Sequence, residues 1–178
     1  RFPAHSPPVQ SELRGVEPGL LLKNGDLLGG RLRLIHTPGH DSDSVCWLDT
    51  VSDTLITGDS IQGEGAAGSG LAFYQNLHDY RASLISLTDM QAVRLLAGHD
   101  YSPHGYCVQG KKAVQDYLHM CLSVTDRYDS QISRMRQEGE QDLVALARRL
   151  ISMEKREEPA HLFLELHTVT AHLREDAL

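Results

Sequence analysis

The stretch Thr37-Pro38-Gly39-His40 decides how the chain is interpreted, because it combines a sharp turn with a side chain that can bind metal. Pro38 fixes its own φ angle and Gly39 can adopt conformations closed to other residues, so together they turn the chain abruptly. The preceding residues 31–36 alternate polar and apolar side chains, which predicts a strand with one wet face. His40 is therefore predicted to stand on a rigid loop at a strand end.

Two further strand ends repeat this arrangement. Residues 54–57 are predicted as a strand that ends in Gly58-Asp59, and residues 92–97 as a strand that ends in Gly98-His99. Neighbouring strands lie only ~5 Å apart, so three such ends can meet in a small volume. Two imidazoles and a carboxylate suit zinc, manganese or iron. The pattern predicts one metal site formed by His40, Asp59 and His99; the alternative is three unrelated turns.

The remaining sequence predicts a strand-rich half followed by a helical tail. Residues 44–48 form a continuous apolar run typical of a covered strand, residues 60–72 form a Gly- and Ala-rich loop, and a helix is predicted from Asp79. Helical periodicity then predicts three more helices: residues 111–138 closed by Gly139, a second over Leu143 to Ile151, and a third with Pro159 in its first turn. The predicted organisation is an irregular segment 1–19, a β-rich domain 20–106 and a helical extension 107–178.

Composition excludes several classes of protein. The formal net charge of −7 argues against a broad nucleic-acid surface, and no apolar run approaches the ~20 residues of a membrane span. The three cysteines form no C-x-x-C pair, so neither a zinc ribbon nor a redox dithiol is supported. The N-terminal residues lack the apolar core of a signal peptide. We therefore expect a cytoplasmic protein with no nucleic-acid or membrane partner.

The three strand ends, taken in order, resemble the later motifs of the metallo-β-lactamase superfamily, most closely its glyoxalase II-like branch. The resemblance rests on residues 36–48, 55–59 and 96–99 and covers roughly residues 20–105. It implies an α/β fold, namely the C-terminal half of a metallo-β-lactamase αββα sandwich followed by a helical tail.

The resemblance also implies roles for the three residues. His40 would bind the first of two zinc ions, Asp59 would bridge both ions, and His99 would bind the second. The metal ions would activate a water molecule and polarise the substrate, so the complete protein would be a hydrolase of a thioester, ester, lactone or similar small molecule. Manganese or iron could replace zinc. Tyr74, Asp100 and Tyr101 are further candidates for the wall of the substrate pocket.

This sequence departs from the family in lacking the principal ligand motif, H-x-H-x-D-H. We therefore expect a fragment that supplies only part of the metal site. The strands suffice for about one sheet, so Val45, Trp47, Leu55 and Leu95 would need an outside cover. A missing N-terminal half or a second copy would provide it, and the isolated chain is predicted to be poorly stable or to self-associate.

Other interpretations of the sequence remain open. The main alternative is a catalytically inactive member of the fold that acts as a binding or interaction protein; the acidic charge argues against a nucleic-acid-processing member. Gly63 to Gly68 formally match G-x-G-x-x-G, but the loop continues where a dinucleotide site needs a helix, so a loop flanking the site is favoured. His161, His167 and His172 are predicted as surface residues of the tail.

Overall fold

The structure is a computed structural model that describes residues 18–66 and 70–175, so most of the predicted lead-in 1–19 lies outside the described residues. Within them, six strands form one sheet in chain order, accompanied by four helices. The strands are β1 (Leu27–Leu28), β2 (Leu32–His36), β3 (Val45–Asp49), β4 (Thr54–Gly58), β5 (Arg94–Tyr101) and β6 (Gly105–Gln109). The helices are α1 (Leu77–Thr88), α2 (Lys111–Gln137), α3 (Leu143–Met153) and α4 (Phe163–Glu175).

Strand direction follows from the connections. Each neighbouring pair is antiparallel except β4 and β5, which are parallel. A parallel pair needs a crossover, and α1 provides it by returning the chain to the starting edge of the sheet. The carboxyl ends of β4 and β5 consequently lie at the same edge, where Gly58 and His99 are found. This parallel pair positions the candidate site.

One face of the sheet is covered by the helices. Because side chains alternate along a strand, residues paired across neighbouring strands share a face. The covered face contributes one buried residue from each of five strands: Ile35, Cys46, Leu55, Leu95 and Val108. These residues form one hydrophobic core with apolar side chains from all four helices. Leu55 and Leu95, predicted to need an outside cover, are therefore buried by the chain's own helices.

The opposite face carries an apolar row that the described part of the chain leaves partly open. Its members pair directly across five strands: Leu34, Trp47, Ile56, Leu96 and Cys107. Ile56 is 37% exposed, and Trp47 is only partly buried, as is Val45 on the same face. The prediction of a single sheet with an insufficient cover is thus confirmed for this face.

Three predicted boundaries need correction. Helix α1 begins at Leu77, because Asn76 rather than Asp79 is the N-cap and its side chain accepts a hydrogen bond from the Asp79 backbone N–H at 3.0 Å. Helix α4 begins at Phe163, so Pro159 belongs to the preceding linker. The unpredicted strand β6 pairs with β5 and crosses the predicted boundary between residues 106 and 107. The sheet therefore extends to Gln109.

The end of α2 was predicted correctly. Gly139 has a φ of +98° just beyond the helix, and its N–H donates to the Arg136 carbonyl at 3.0 Å. The next N–H, from Glu140, reaches back to the Met135 carbonyl at 3.1 Å. Together these bonds form a Schellman motif, which satisfies carbonyl groups that the helix end would otherwise leave without a partner.

Candidate active site

A cavity of about 490 Å³ opens at the edge where β4 and β5 end. The three predicted ligands, His40, Asp59 and His99, all line it, together with the predicted pocket residue Tyr101. The opposite wall comes from the helical tail and includes His161 and Glu165. The structure therefore brings the three strand ends to one place, as the sequence predicted.

The turn that carries His40 is packed directly onto helix α1. Gly39 has a φ of +133°, and a Cβ atom there would collide with the backbone of Tyr80. The Gly39 carbonyl accepts hydrogen bonds from the N–H groups of Gln75 and Asn76 at 2.8 and 3.1 Å. The Ser83 hydroxyl donates to the Pro38 carbonyl at 2.7 Å. Because only glycine fits against α1 here, the turn is rigid and aims His40 into the cavity.

The Nδ1 atom of His40 has two neighbours that require different tautomers. It lies 3.2 Å from the Phe73 carbonyl oxygen, which can only accept, and 2.8 Å from Nε2 of Gln62, which can only donate. The Gln62 amide is oriented by two other bonds, from the Phe73 N–H to its Oε1 and from its Nε2 to the Asp59 carbonyl. A ligand histidine typically donates its second ring N–H to a carbonyl. Metal binding through Nε2 therefore corresponds to the Nδ1–H donating to Phe73.

Asp59 and His99 form the closest pair of candidate ligands. Asp59 Oδ1 lies 3.4 Å from His99 Nε2, and the Tyr101 hydroxyl donates to the same Oδ1 at 2.9 Å. Burial, followed by the hydrogen bond to Asp59, raises the pKa of Tyr101 well above its usual value. Tyr101 therefore remains a hydrogen-bond donor at neutral pH and helps to orient the carboxylate.

Irregular strand pairing shapes this corner of the cavity. The register shifts between β4 and β5 after Ile56 and between β5 and β6 after Leu96. Such bulges re-aim side chains and are common next to active sites. A Cβ atom on Gly98 would lie 2.6 Å from Asp59 Oδ1, so this glycine lets the β5 backbone approach the carboxylate closely.

The three donors make only part of a metal site. Imidazole and carboxylate groups are suitable zinc ligands, which fits the donor set. Within residues 18–66 and 70–175, however, no three His, Cys, Asp or Glu side chains come close enough together to hold an ion. The described residues thus offer the paired Asp59 and His99, with His40 on the same cavity wall.

The contribution of the tail to the cavity was not predicted from the sequence. Arg156, in the linker between α3 and α4, donates to the carbonyl groups of Ala66 and Gly70 and to the Ser102 hydroxyl. The Gly70 N–H in turn donates to the Glu157 carbonyl at 3.1 Å. The linker is thereby tied to the glycine-rich loop, which lies beside the site as expected. Long-range contacts of this kind leave no periodic signal in a sequence.

Other predicted residues lie elsewhere. Tyr74 is fully buried and stacks on Tyr80 with ring centroids 4.5 Å apart, so it is a core residue and is absent from the described wall of this cavity. Asp100 is exposed and likewise outside that wall. His172 was wrongly predicted to be at the surface: it is fully buried, with Nε2 2.7 Å from the Tyr74 hydroxyl and Nδ1 2.5 Å from Asp129 Oδ1.

Comparisons with known proteins agree with this architecture. No protein-family model matches the chain. The chain is 31% identical over 126 residues to the lactamase-like protein vrtG of Penicillium aethiopicum, covering 65% of this chain and 37% of the relative. It is 35% identical over 97 residues to the human acyl-coenzyme A thioesterase MBLAC2, covering 51% of this chain and 34% of that protein. The chain thus spans little more than a third of the length of these relatives.

Solved structures show the same fold. The crystal structure of a beta-lactamase domain protein from Burkholderia ambifaria matches 90% of this chain and 48% of its own chain, with a TM-score of 0.67 at 19% sequence identity. The single sheet with helices on one face is therefore a metallo-β-lactamase-type arrangement. Together with the lactamase-like relatives, this places the chain in the metallo-β-lactamase superfamily.

Proposed function

We propose that the complete protein containing this chain is a metal-dependent hydrolase that cleaves a thioester, ester, lactone or similar small substrate. The observation that carries the proposal is the convergence of His40, Asp59 and His99 on one cavity large enough for a small molecule. A thioester is the preferred candidate, because one relative is named as an acyl-coenzyme A thioesterase. The finer assignment to a glyoxalase II-like branch stays a prediction.

In this proposal the three side chains provide part of a zinc site, with manganese or iron as alternatives. Bound metal would polarise the scissile carbonyl and lower the pKa of water to about 7, which supplies a nucleophile at neutral pH. Tyr101 would hold the Asp59 carboxylate, and the Phe73 carbonyl would select the His40 tautomer. The further ligands would come from outside the described residues, either from an N-terminal half or from a second copy.

The rival proposal is a catalytically inactive member that binds a ligand or partner. It is favoured by the lack of any three-ligand group within the described ranges. Metal content separates the two candidates, since an inactive binder needs no ion. Neither proposal involves nucleic acid, and a cytoplasmic location stays a prediction. No helix between residues 18–66 and 70–175 has the length and apolar character needed to cross a bilayer.

The test uses the complete protein. Metal content is measured by elemental analysis, and hydrolysis of acyl-coenzyme A thioesters is followed by the release of free thiol. His40→Ala and His99→Ala are expected to lower both metal content and kcat/KM, the latter by at least about 100-fold. His78→Ala, on the exposed side of α1, is the control and should change neither. Unchanged metal stoichiometry in both ligand variants would remove these residues from the site.

A further inference from the structure

Glu165, in the first turn of helix α4, is a buried carboxylate that faces the candidate active site. The residue is only 4% exposed, and it lines the same cavity as His40 and Asp59. Its Oε2 atom is buried without a hydrogen-bond partner in the part of the chain that the structure describes. Buried polar atoms are nearly always hydrogen-bonded, so such an atom needs an explanation.

The local backbone is built to accommodate this carboxylate. A Cβ atom on Gly70 would lie 2.6 Å from Glu165 Oε1, so the glycine leaves the space that the carboxylate occupies. Burial raises the pKa of Glu165 above its usual value, and the backbone N–H groups of Glu165 and Leu71 partly oppose this rise. One side of the carboxylate is therefore supported by backbone, whereas Oε2 is left with unused acceptor capacity.

The rest of this wall offers no donor for Oε2. The neighbouring lining residues include Leu71, Phe73, Pro159 and Leu164, whose side chains are apolar. An unpaired buried acceptor costs about 1–3 kcal/mol, and more when it is charged. Occupation of the cavity by a molecule with a suitably placed O–H or N–H group would remove this cost.

We propose that Glu165 is a specificity-determining residue, whose Oε2 accepts a hydrogen bond from a hydroxyl or amide N–H group on the substrate. The donor would sit on the part of the substrate that lies against the apolar wall, away from the scissile bond. The proposal rests on the proposed hydrolase function for its reaction, but its recognition step concerns binding alone. It assigns the substrate class as a small thioester or ester that combines an apolar portion with a hydrogen-bond donor.

The test compares matched thioesters with the complete protein. A plain acyl thioester is set against hydroxyacyl thioesters of equal length, with the hydroxyl group moved along the chain, and against acyl thioesters that contain an amide. The wild type is expected to favour at least one donor-bearing substrate in kcat/KM by roughly 10- to 100-fold. Glu165→Leu should reduce that ratio to about 1, with little change on the plain thioester. Glu157→Leu, an exposed residue nearby, is the matched control and should keep the wild-type ratio.

A purely structural role for Glu165 predicts a different result. If the side chain only supported the loop at Gly70, Glu165→Leu would slow all substrates equally and leave the ratio unchanged. An equal loss on all substrates, or no donor preference in the wild type, overturns the proposal. Glu165→Gln keeps the shape and one acceptor oxygen, so it should retain part of the preference even if Glu165→Leu fails to fold.

Binding of inert analogues separates this inference from the proposed function. Ketones that replace the thioester sulfur with a methylene group cannot be hydrolysed, and their affinity is measured by calorimetry. If the wild type hydrolyses no thioester but binds the hydroxylated ketone about 10- to 100-fold more tightly than the plain one, dependent on Glu165, the proposed reaction fails and the specificity assignment stands. If thioesters are hydrolysed but the preference does not depend on Glu165, the proposed reaction stands and the specificity assignment fails.

Discussion

Asp59 Oδ1 and His99 Nε2 lie 3.4 Å apart, although the whole of helix α1 separates the two residues in the chain. Their proximity follows from the parallel pairing of β4 with β5, which puts both strand ends at one edge of the sheet. It also requires Gly98, because a side chain at that position would occupy the space of the Asp59 carboxylate. The geometry of this pair therefore depends on a residue that contributes no chemistry.

Gly98→Ala is expected to disturb the metal site without removing a ligand. The added Cβ atom would meet Asp59 Oδ1 at 2.6 Å and the Gly58 backbone at 3.0 Å, so the carboxylate must move. In the complete protein, metal affinity measured by competition with a chelator should fall by about 10- to 100-fold, the usual effect of disturbing ligand orientation. Gly19→Ala is the control, since nothing lies within 4 Å of the added atom there. Equal affinities for both variants would show that the close approach at Gly98 is unimportant.

The open face of the sheet predicts self-association of the isolated chain. The apolar row across β2 to β6 is partly exposed, and Ile56 lies at its centre. Exposed apolar sheet faces of this kind are interaction or aggregation sites. Sedimentation analysis should show concentration-dependent oligomers, which Ile56→Lys reduces. Val51→Lys, at a 75% exposed turn position, should leave them unchanged. A monomer with a cooperative, high-temperature melt would contradict this prediction.

The anchor of helix α4 should make stability depend on acid pH. Hydrogen bonds from His172, and then from Arg81, lower the pKa of Asp129 from its usual 3.8 to about 2. A carboxyl group with a lower pKa in the folded state stabilises the protein above its unfolded pKa, and this contribution is lost as the group protonates. The free energy of unfolding, measured with urea, should therefore decline as pH falls from about 4 to about 2.

Asp129→Asn tests this assignment. The substitution should remove that part of the pH dependence and lower the stability of the complete protein at neutral pH by about 1–3 kcal/mol, because the hydrogen bonds to a charged acceptor are weakened. Asp116→Asn, which affects only an exposed pair with Lys112, is the matched control and should have little effect. Superimposable pH profiles for the wild type and Asp129→Asn would exclude Asp129 as the source.

Arg156 is expected to hold the glycine-rich loop against the tail. Its guanidinium group donates to two loop carbonyls and to Ser102, so Arg156→Ala should leave these acceptors without their partner. We expect a loss of about 1–3 kcal/mol in unfolding free energy and faster amide hydrogen exchange at residues 63–66 and 70–71. Arg148→Ala, which loses one exposed ion pair with Glu158, is the control. Unchanged exchange in the loop would contradict the assignment.

Much of the architecture could be predicted because local patterns carry it. The alternation in residues 31–36, the periodicity of α2 and the glycine after it are short-range signals, and the structure confirms all three. Strand β6 was missed because it lies at the predicted boundary and its chain-order neighbours give no clear alternation. The start of α1 was misplaced by two residues, since Asn76 and Asp79 are both suitable N-cap residues and only the fold selects between them.

The amino-acid order alone was enough to predict the strand ends, the candidate donors His40, Asp59 and His99, and the single-sheet architecture, because turn residues and periodicity act over a few neighbouring positions. Which distant residues face those donors became clear only from the folded chain. The unpaired carboxylate of Glu165, the Arg156 contacts and the burial of His172 with Tyr74 all depend on how the helical tail packs against the sheet. Such contacts are set by packing between segments far apart in the chain, and a helical stripe in the sequence does not reveal its partner.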